Sequence, residues 1–218
     1  MKKIIVTGAD GQLGRAINLQ YAGSEAYELI NTDVGDLDIT KIDRVMEFAR
    51  QVRPYAIINC AAYTAVDACE KEEDLAFRIN AIGARNLSIA ASETGAKLMH
   101  VSTDYVFDGK GTRPYRETDP TGPQGAYGRT KLAGEAFVKE FSSRHFIIRT
   151  AWLYGDGKNF VKTMLRLSET NDKVRVVMDQ VGSPTSAGEL AKAIACLLPT
   201  ENYGLFHGTC EGDCSWAQ

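Results

Sequence analysis

Tyr127 and Lys131 stand four residues apart in Tyr127-Gly128-Arg129-Thr130-Lys131. On a helix that spacing puts both side chains on one face. A phenol with an ordinary pKa of about 10 is a poor acid–base group at neutral pH. A lysine ammonium within a few ångströms, together with an oxidised nicotinamide, favours the phenolate and lowers that pKa. The pair is then a usable proton donor to a ketone oxygen. The spacing alone is common, and surface residues show it too. It gains meaning from Ser102-Thr103, which close an apolar run and bring a hydroxyl that can bond the same carbonyl, and from a glycine-rich segment near the N-terminus.

That segment is Gly8-Ala9-Asp10-Gly11-Gln12-Leu13-Gly14. An apolar strand precedes it and a helical pattern follows. Glycines at i, i+3 and i+6 let the backbone turn sharply and approach a pyrophosphate, and the helix behind offers free N–H groups and a positive dipole end. Gly14 allows close helix–strand packing. Gly8, Gly11, Gln12, Leu13 and Gly14 are therefore candidate cofactor-binding residues, with Tyr127 and Lys131 at the nicotinamide end. Asp33, at the end of the second strand, can accept bonds from an adenosine ribose and repel a 2′-phosphate. The alternative is a solvated turn carboxylate. Arg15 is a counterweight to that preference, so NADH and NADPH both stay open. Asp38 and Ile39 follow in the next loop, within reach of an adenine. Ala61, Ala62 and Tyr63 close the third strand, where small residues leave room for a dinucleotide or simply pack tightly.

These residues need a frame that gathers them. Short apolar runs at residues 3–8, 27–33, 55–62, 97–103, 146–154 and 204–208 read as strands. Residues 14–21, 41–52, 130–141, 160–167 and 189–198 read as helices, and residues 70–94 as one long helix or two, stopped by Gly95. Thr40 is expected to cap the helix at 41–52. Residues 110–124, rich in Gly, Pro and charge, are a loop, and residues 174–178 read as extended. Strands alternating with helices imply βαβ units and a parallel sheet covered on both faces. The fold class is therefore α/β, a Rossmann-type doubly wound parallel sheet. Any smaller C-terminal lobe must be assembled from segments after about Ala151. Residues 215–218 look like a helix opening with no room to finish, which points to a truncated chain.

The 218 residues carry 25 Lys+Arg against 28 Asp+Glu, a net charge of −3. No broad basic field is implied, so phosphate-tracking nucleic-acid binding is not expected. No apolar run approaches the roughly 18 residues of a membrane span, and the run behind Met1-Lys2-Lys3 is too short for a secretory leader. Five cysteines, odd in number and mostly far apart, read as reduced thiols of a cytoplasmic protein, and Cys210 and Cys214 complete no zinc pattern.

Together, TGxxGxxG, a strand-end Ser/Thr and YxxxK resemble the extended short-chain dehydrogenase/reductases. Longer blocks are similar to the dTDP-4-dehydrorhamnose reductase family: Asn59-Cys60-Ala61-Ala62-Tyr63-Thr64-Ala65-Val66-Asp67, Ser102-Thr103-Asp104-Tyr105-Val106-Phe107, Tyr127 through Glu135, Arg149 through Gly155, and Asp179 through Thr185. The resemblance covers essentially the whole chain. It implies reduction of the 4-keto group of dTDP-4-dehydro-L-rhamnose by NADPH or NADH, the last step of dTDP-rhamnose synthesis. It also implies a catalytic trio of Thr103, Tyr127 and Lys131, with Asp104, Tyr105 and Trp152 joining Thr103 at the sugar. Residues 1–150 would hold the dinucleotide. Residues 151–218 would form a partial nucleotide-sugar lobe interleaved with them, because family members run several dozen residues further. The resemblance allows a homodimer. No metal is expected. Cys60 and Tyr63 vary positions that the family tolerates.

Rival chemistries remain. A 4,6-dehydratase needs an extra acid where this chain has Tyr105, which disfavours dehydration. Another 4-ketoreductase or an epimerase would use the same Tyr and Lys. A non-catalytic regulatory subunit, like that of methionine adenosyltransferase, would bind the dinucleotide without turnover. The intact trio favours chemistry.

Overall fold

Neighbouring residues of the first strand serve opposite layers of the molecule. Ile5 joins a core with Val45, Met46, Leu87 and Val138, whereas Ile4 and Val6 join one with Leu13, Ile17, Leu190 and Ile194. A strand buried on both faces needs apolar side chains at every position, and that is why these strands read as unbroken runs. The computed structural model describes residues 1–218. In chain order it contains β1 (Lys2–Thr7), α1 (Gln12–Gln20), β2 (Tyr27–Thr32), α2 (Ile42–Val52) and β3 (Ala56–Asn59). Next come α3 (Val66–Cys69), α4 (Glu73–Phe77), a π-helical stretch (Arg78–Gly83), α5 (Ala84–Thr94) and β4 (Lys97–Thr103). A 3₁₀ turn (Asp104–Val106), α6 (Ala126–Phe141), β5 (His145–Thr150), β6 (Leu153–Tyr154) and α7 (Phe160–Ser168) follow. The chain closes with β7 (Val181–Gly182), β8 (Thr185–Ser186), α8 (Ala187–Leu197), β9 (Gly204–His207) and β10 (Cys214–Ser215).

Six strands form one parallel sheet in the order β2-β1-β3-β4-β5-β9. Helices α2, α5 and α6 cover one face, and α1 and α8 the other. The winding reverses between β1 and β3, so a crevice opens beyond their carboxyl ends, the usual ligand position in such sheets. The segments after residue 151 divide. Helix α8 and strand β9 return to the main sheet. Strands β6 and β8 pair in parallel, and β7 and β10 pair antiparallel, as two small ribbons beside α7. Helix α7 has no buried residue.

Several elements differ from the sequence reading, each for a local reason. Helix α1 begins at Gln12, with Gly11 as its N-cap. Thr40 does not cap α2; its hydroxyl donates to Asp38 Oδ1 at 2.7 Å, and Lys41 takes the cap position without a side-chain bond. Strand β3 ends at Asn59, whose Oδ1 accepts the Ala61 N–H at 3.1 Å and turns the chain away. The helical region of residues 70–94 starts at Glu73 and runs on through a π-helical stretch around Asn80 to Thr94; Gly95, at φ +69°, ends it as expected. Helix α6 starts at Ala126, four residues early, which brings Tyr127 onto the same helix as Lys131. The strand at 146–154 breaks at Trp152, which adopts φ +46°. Residues 174–178 join no sheet. Residues 215–218 do not open a helix, because Ser215 pairs with Val181.

Candidate active site

A cleft of about 700 Å³ lies across the carboxyl ends of β1, β3, β4 and β5. Every residue singled out above for cofactor, substrate or chemistry lines it except Gly14 and Arg15. Gly14 sits beneath the turn: a Cβ there would come within 2.5 Å of Ala9 Cα. Gly8 takes φ +65°, and a Cβ on it would lie 2.8 Å from Ala61 N. Both positions must lack a side chain for the β1–α1 turn to nest against the end of β3. Gly11 makes no side-chain cap bond, so the opening N–H groups of α1 are left for a ligand.

Asp33 faces the same cleft with both oxygens held, one by the Asp10 N–H at 3.2 Å and one by the Val34 N–H at 2.8 Å. Arg15 is turned toward another partner. Its guanidinium donates to the Asp156 carbonyl at 2.8 Å and does not line the cleft. Asp38 accepts the Thr40 N–H and hydroxyl, and that hydroxyl bond holds its carboxyl below the usual range. Ile39 is buried, and its carbonyl is fixed by Asn86 Nδ2 at 2.9 Å.

At the other end, Thr103 is the last residue of β4. Its hydroxyl donates to Asp104 Oδ1 at 3.0 Å and accepts the Tyr105 N–H at 3.2 Å. Tyr127, in the first turn of α6, faces that hydroxyl, and its ring meets Tyr105 edge-on at 5.4 Å. Burial pushes the Tyr127 phenol above its ordinary pKa, and the Thr103 bond only partly offsets this. Asp104 and Tyr105 push in the same direction as burial, so the protein's own groups hold the phenol protonated, and the lowering expected from Lys131 belongs to the state with an oxidised nicotinamide beside it. Lys131 is buried to 2% exposure, and its Nζ donates to the Val101 carbonyl at 2.7 Å. Burial brings its pKa down to about 8, with Glu135 and Cys60 pulling the other way. Burial likewise raises Asp104, and it raises the Cys60 thiol to about 12, leaving that cysteine unreactive.

Comparison with known proteins fits this geometry. The model of the RmlD substrate binding domain matches residues 1–218. The chain is 45% identical to a dTDP-4-dehydrorhamnose reductase of Streptomyces griseus over 97% of its length and 72% of the relative's. The chain belongs to the dTDP-4-dehydrorhamnose reductase family. Among solved structures it is similar to the dTDP-4-dehydrorhamnose reductase of Clostridium acetobutylicum, at 54% identity and a TM-score of 0.96 over 98% of this chain and 76% of that one. It is also similar to the Bacillus anthracis reductase in complex with NADP, at 47% identity and a TM-score of 0.95 over 99% of this chain and 78% of that one.

A dinucleotide fits the residues present: a side-chain-free turn, uncapped helix N–H groups and the Asp33 carboxylate share one cleft with a buried lysine. No group of three or more His, Cys, Asp or Glu side chains is gathered to hold a metal, and no helix is long and apolar enough to cross a membrane.

Sequence reasoning missed several residues that build the site. Asn80 bonds both backbone groups of Tyr63, at 2.8 and 3.2 Å, and donates to Thr130 Oγ1 at 3.1 Å. It thereby ties the end of β3 to α6. Asn59 links Thr7 to His100 across three strands. Trp216 stacks on Trp152 with ring centroids 3.6 Å apart, and both line the cleft. Of these only Asn59 carried a local signal, a polar residue inside the apolar run of residues 56–62.

Proposed function

We propose that this chain reduces the 4-keto group of dTDP-4-dehydro-L-rhamnose to give dTDP-L-rhamnose, using NADPH or NADH. The observation that carries the reading is a half-buried phenol facing a strand-end hydroxyl in the cleft that also holds the glycine turn. The dihydronicotinamide, when bound, supplies the hydride. Gly8, Gly11, Gln12, Leu13 and Gly14 would hold its pyrophosphate. Asp33 would accept from the adenosine ribose, with Asp38, Ile39, Ala61, Ala62 and Tyr63 lining the rest of its path.

Tyr127 is the proton donor on this reading. Its raised pKa keeps the hydroxyl protonated at neutral pH, the form a reduction needs. Thr103 orients the ketone beside it. Lys131 favours the phenolate that remains after transfer and would hold the nicotinamide ribose. Asp104, Tyr105 and Trp152 face the sugar, with residues 151–218 contributing that side of the cleft. The dTDP-sugar partner and a cytoplasmic location follow from the family's chemistry, since both reactants are soluble metabolites.

The test is loss of NAD(P)H absorbance with dTDP-4-dehydro-L-rhamnose made in situ, the two dinucleotides being tried separately. Turnover is expected. Dinucleotide binding without turnover on this sugar would overturn the substrate assignment.

A further inference from the structure

One layer beneath Thr103, the fold buries a second charged cluster that the chemistry above does not use. Glu135 is fully buried on α6, one helical turn beyond Lys131. Its Oε1 accepts the Ser102 hydroxyl at 2.6 Å and Arg149 Nε at 2.8 Å, and its Oε2 accepts Arg149 Nη2 at 2.7 Å. Arg149 comes from β5, is 4% exposed, and lies over the Phe107 ring at 4.9 Å, with its Nη1 unpartnered. Ser102 immediately precedes Thr103, and Lys131 reaches the carbonyl of Val101. One carboxylate thus ties the helix carrying Tyr127 and Lys131 to the strand end carrying Thr103.

The other groups around it leave Glu135 as the main counter-charge to Lys131. Cys60 faces Lys131 from the end of β3, with its thiol held neutral by burial. His100 faces it from β4, and burial pushes that imidazole well below its ordinary value, so it too is neutral. On the far side of Glu135, His207 of β9 is lowered by burial, and Glu117 bonds the His207 N–H at 2.9 Å. Arg149 is the one cation that competes with Lys131 for the Glu135 carboxylate.

We infer that Glu135 is a positioning residue for Lys131: clamped by Ser102 and Arg149, its carboxylate keeps the buried ammonium charged and in register with the end of β4. This rests on the proposed role of Lys131. Arg149 tunes the effect because its positive charge offsets part of the carboxylate's field at Lys131.

Two variants should therefore move Lys131 in opposite directions. In Arg149→Met the Glu135 charge is released toward Lys131, and the Lys131 titration midpoint should rise. In Glu135→Gln combined with Arg149→Met neither member of the ion pair is left alone, and because the nearer Glu135 attraction outweighs the Arg149 repulsion lost with it, the Lys131 midpoint should fall by about one pH unit or more. Replacing both members of a buried ion pair is tolerated better than removing one, so the double variant keeps the test open should the single one not fold. The midpoint is read from the lysine Cε resonance in heteronuclear NMR, assigned by its loss in Lys131→Met. An unchanged midpoint in the double variant overturns the inference and leaves the cluster a packing device. The pH profile of kcat in the same proteins tests Lys131 separately. A profile that ignores a shifted midpoint removes Lys131 from the chemistry.

Discussion

At the glycine end of the cleft, recognition is left to the main chain. Gly8 and Gly14 contribute an absence of side chain, Gly11 leaves N–H groups uncapped, and the carboxylate of Asp33 is held by backbone donors. At the reacting end the working groups are side chains from two separate elements, the buried Thr103 from β4 and the half-buried Tyr127 and buried Lys131 from α6, with Glu135 and Arg149 behind them. The first end works by letting backbone come close, so its weakness is steric. The second works by shifting proton affinities away from water values, so its weakness is chemical. A substitution of similar size should therefore fail differently at the two ends.

The largest effect is expected at the reacting end. Tyr127→Phe removes only the proton, and kcat should fall about 10²–10⁴-fold while dinucleotide affinity in a fluorescence titration stays near wild type. A variant that retains most of its kcat would break the contrast, since the phenol would then be only a packing group.

At the glycine end, Gly14→Ala should do the reverse. The new methyl meets backbone, not a movable side chain, so the turn must open, at a cost of about 1–3 kcal/mol. Dinucleotide affinity should drop more than about tenfold, the equivalent of roughly 1.4 kcal/mol. Unaltered affinity would mean that the turn does not hold the pyrophosphate.

Lys131 sharpens the comparison through stability. Its folded pKa of about 8 lies below its ordinary value of 10.5. The unfolded chain therefore binds more protons between those values, and stability gains from this group as pH rises through that window. Below about pH 8 the buried ammonium is a standing cost. Lys131→Met should then be more stable than wild type in urea near neutral pH, with the advantage shrinking toward pH 10.5, although its activity is lost. A constant difference across that range would show that burial does not set the lysine's proton affinity.

The smallest effect is expected from Asp33→Ser, which removes a charge near the ribose without touching the turn. The NADPH/NADH ratio of kcat/KM should move toward NADPH by about tenfold, the equivalent of about 1.4 kcal/mol. An unchanged ratio would mean that Asp33 does not face the ribose.

The two ends also differ in how far they were readable. The glycine turn, the unbroken apolar strands, the α/β class and the Tyr–Lys spacing all lie in local sequence, because strand burial and tight turns act over a few residues. The blocks around Thr103 and Tyr127 were long enough to point to the family. Other features were hidden because their partners are distant in the chain. Asn80 reaches Thr130, Ser102 and Arg149 meet on Glu135, and Trp152 turns to φ +46° and stacks on Trp216. The same holds for proton affinity. Spacing suggested a lysine that, with an oxidised nicotinamide, lowers a phenol's pKa; what it could not suggest is that burial raises the phenol and lowers the lysine. The sequence by itself determined which residues could react and the layered sheet that carries them. Only the tertiary structure decided how much water each of them loses, because desolvation is a property of everything packed around a group and not of its neighbours in the chain.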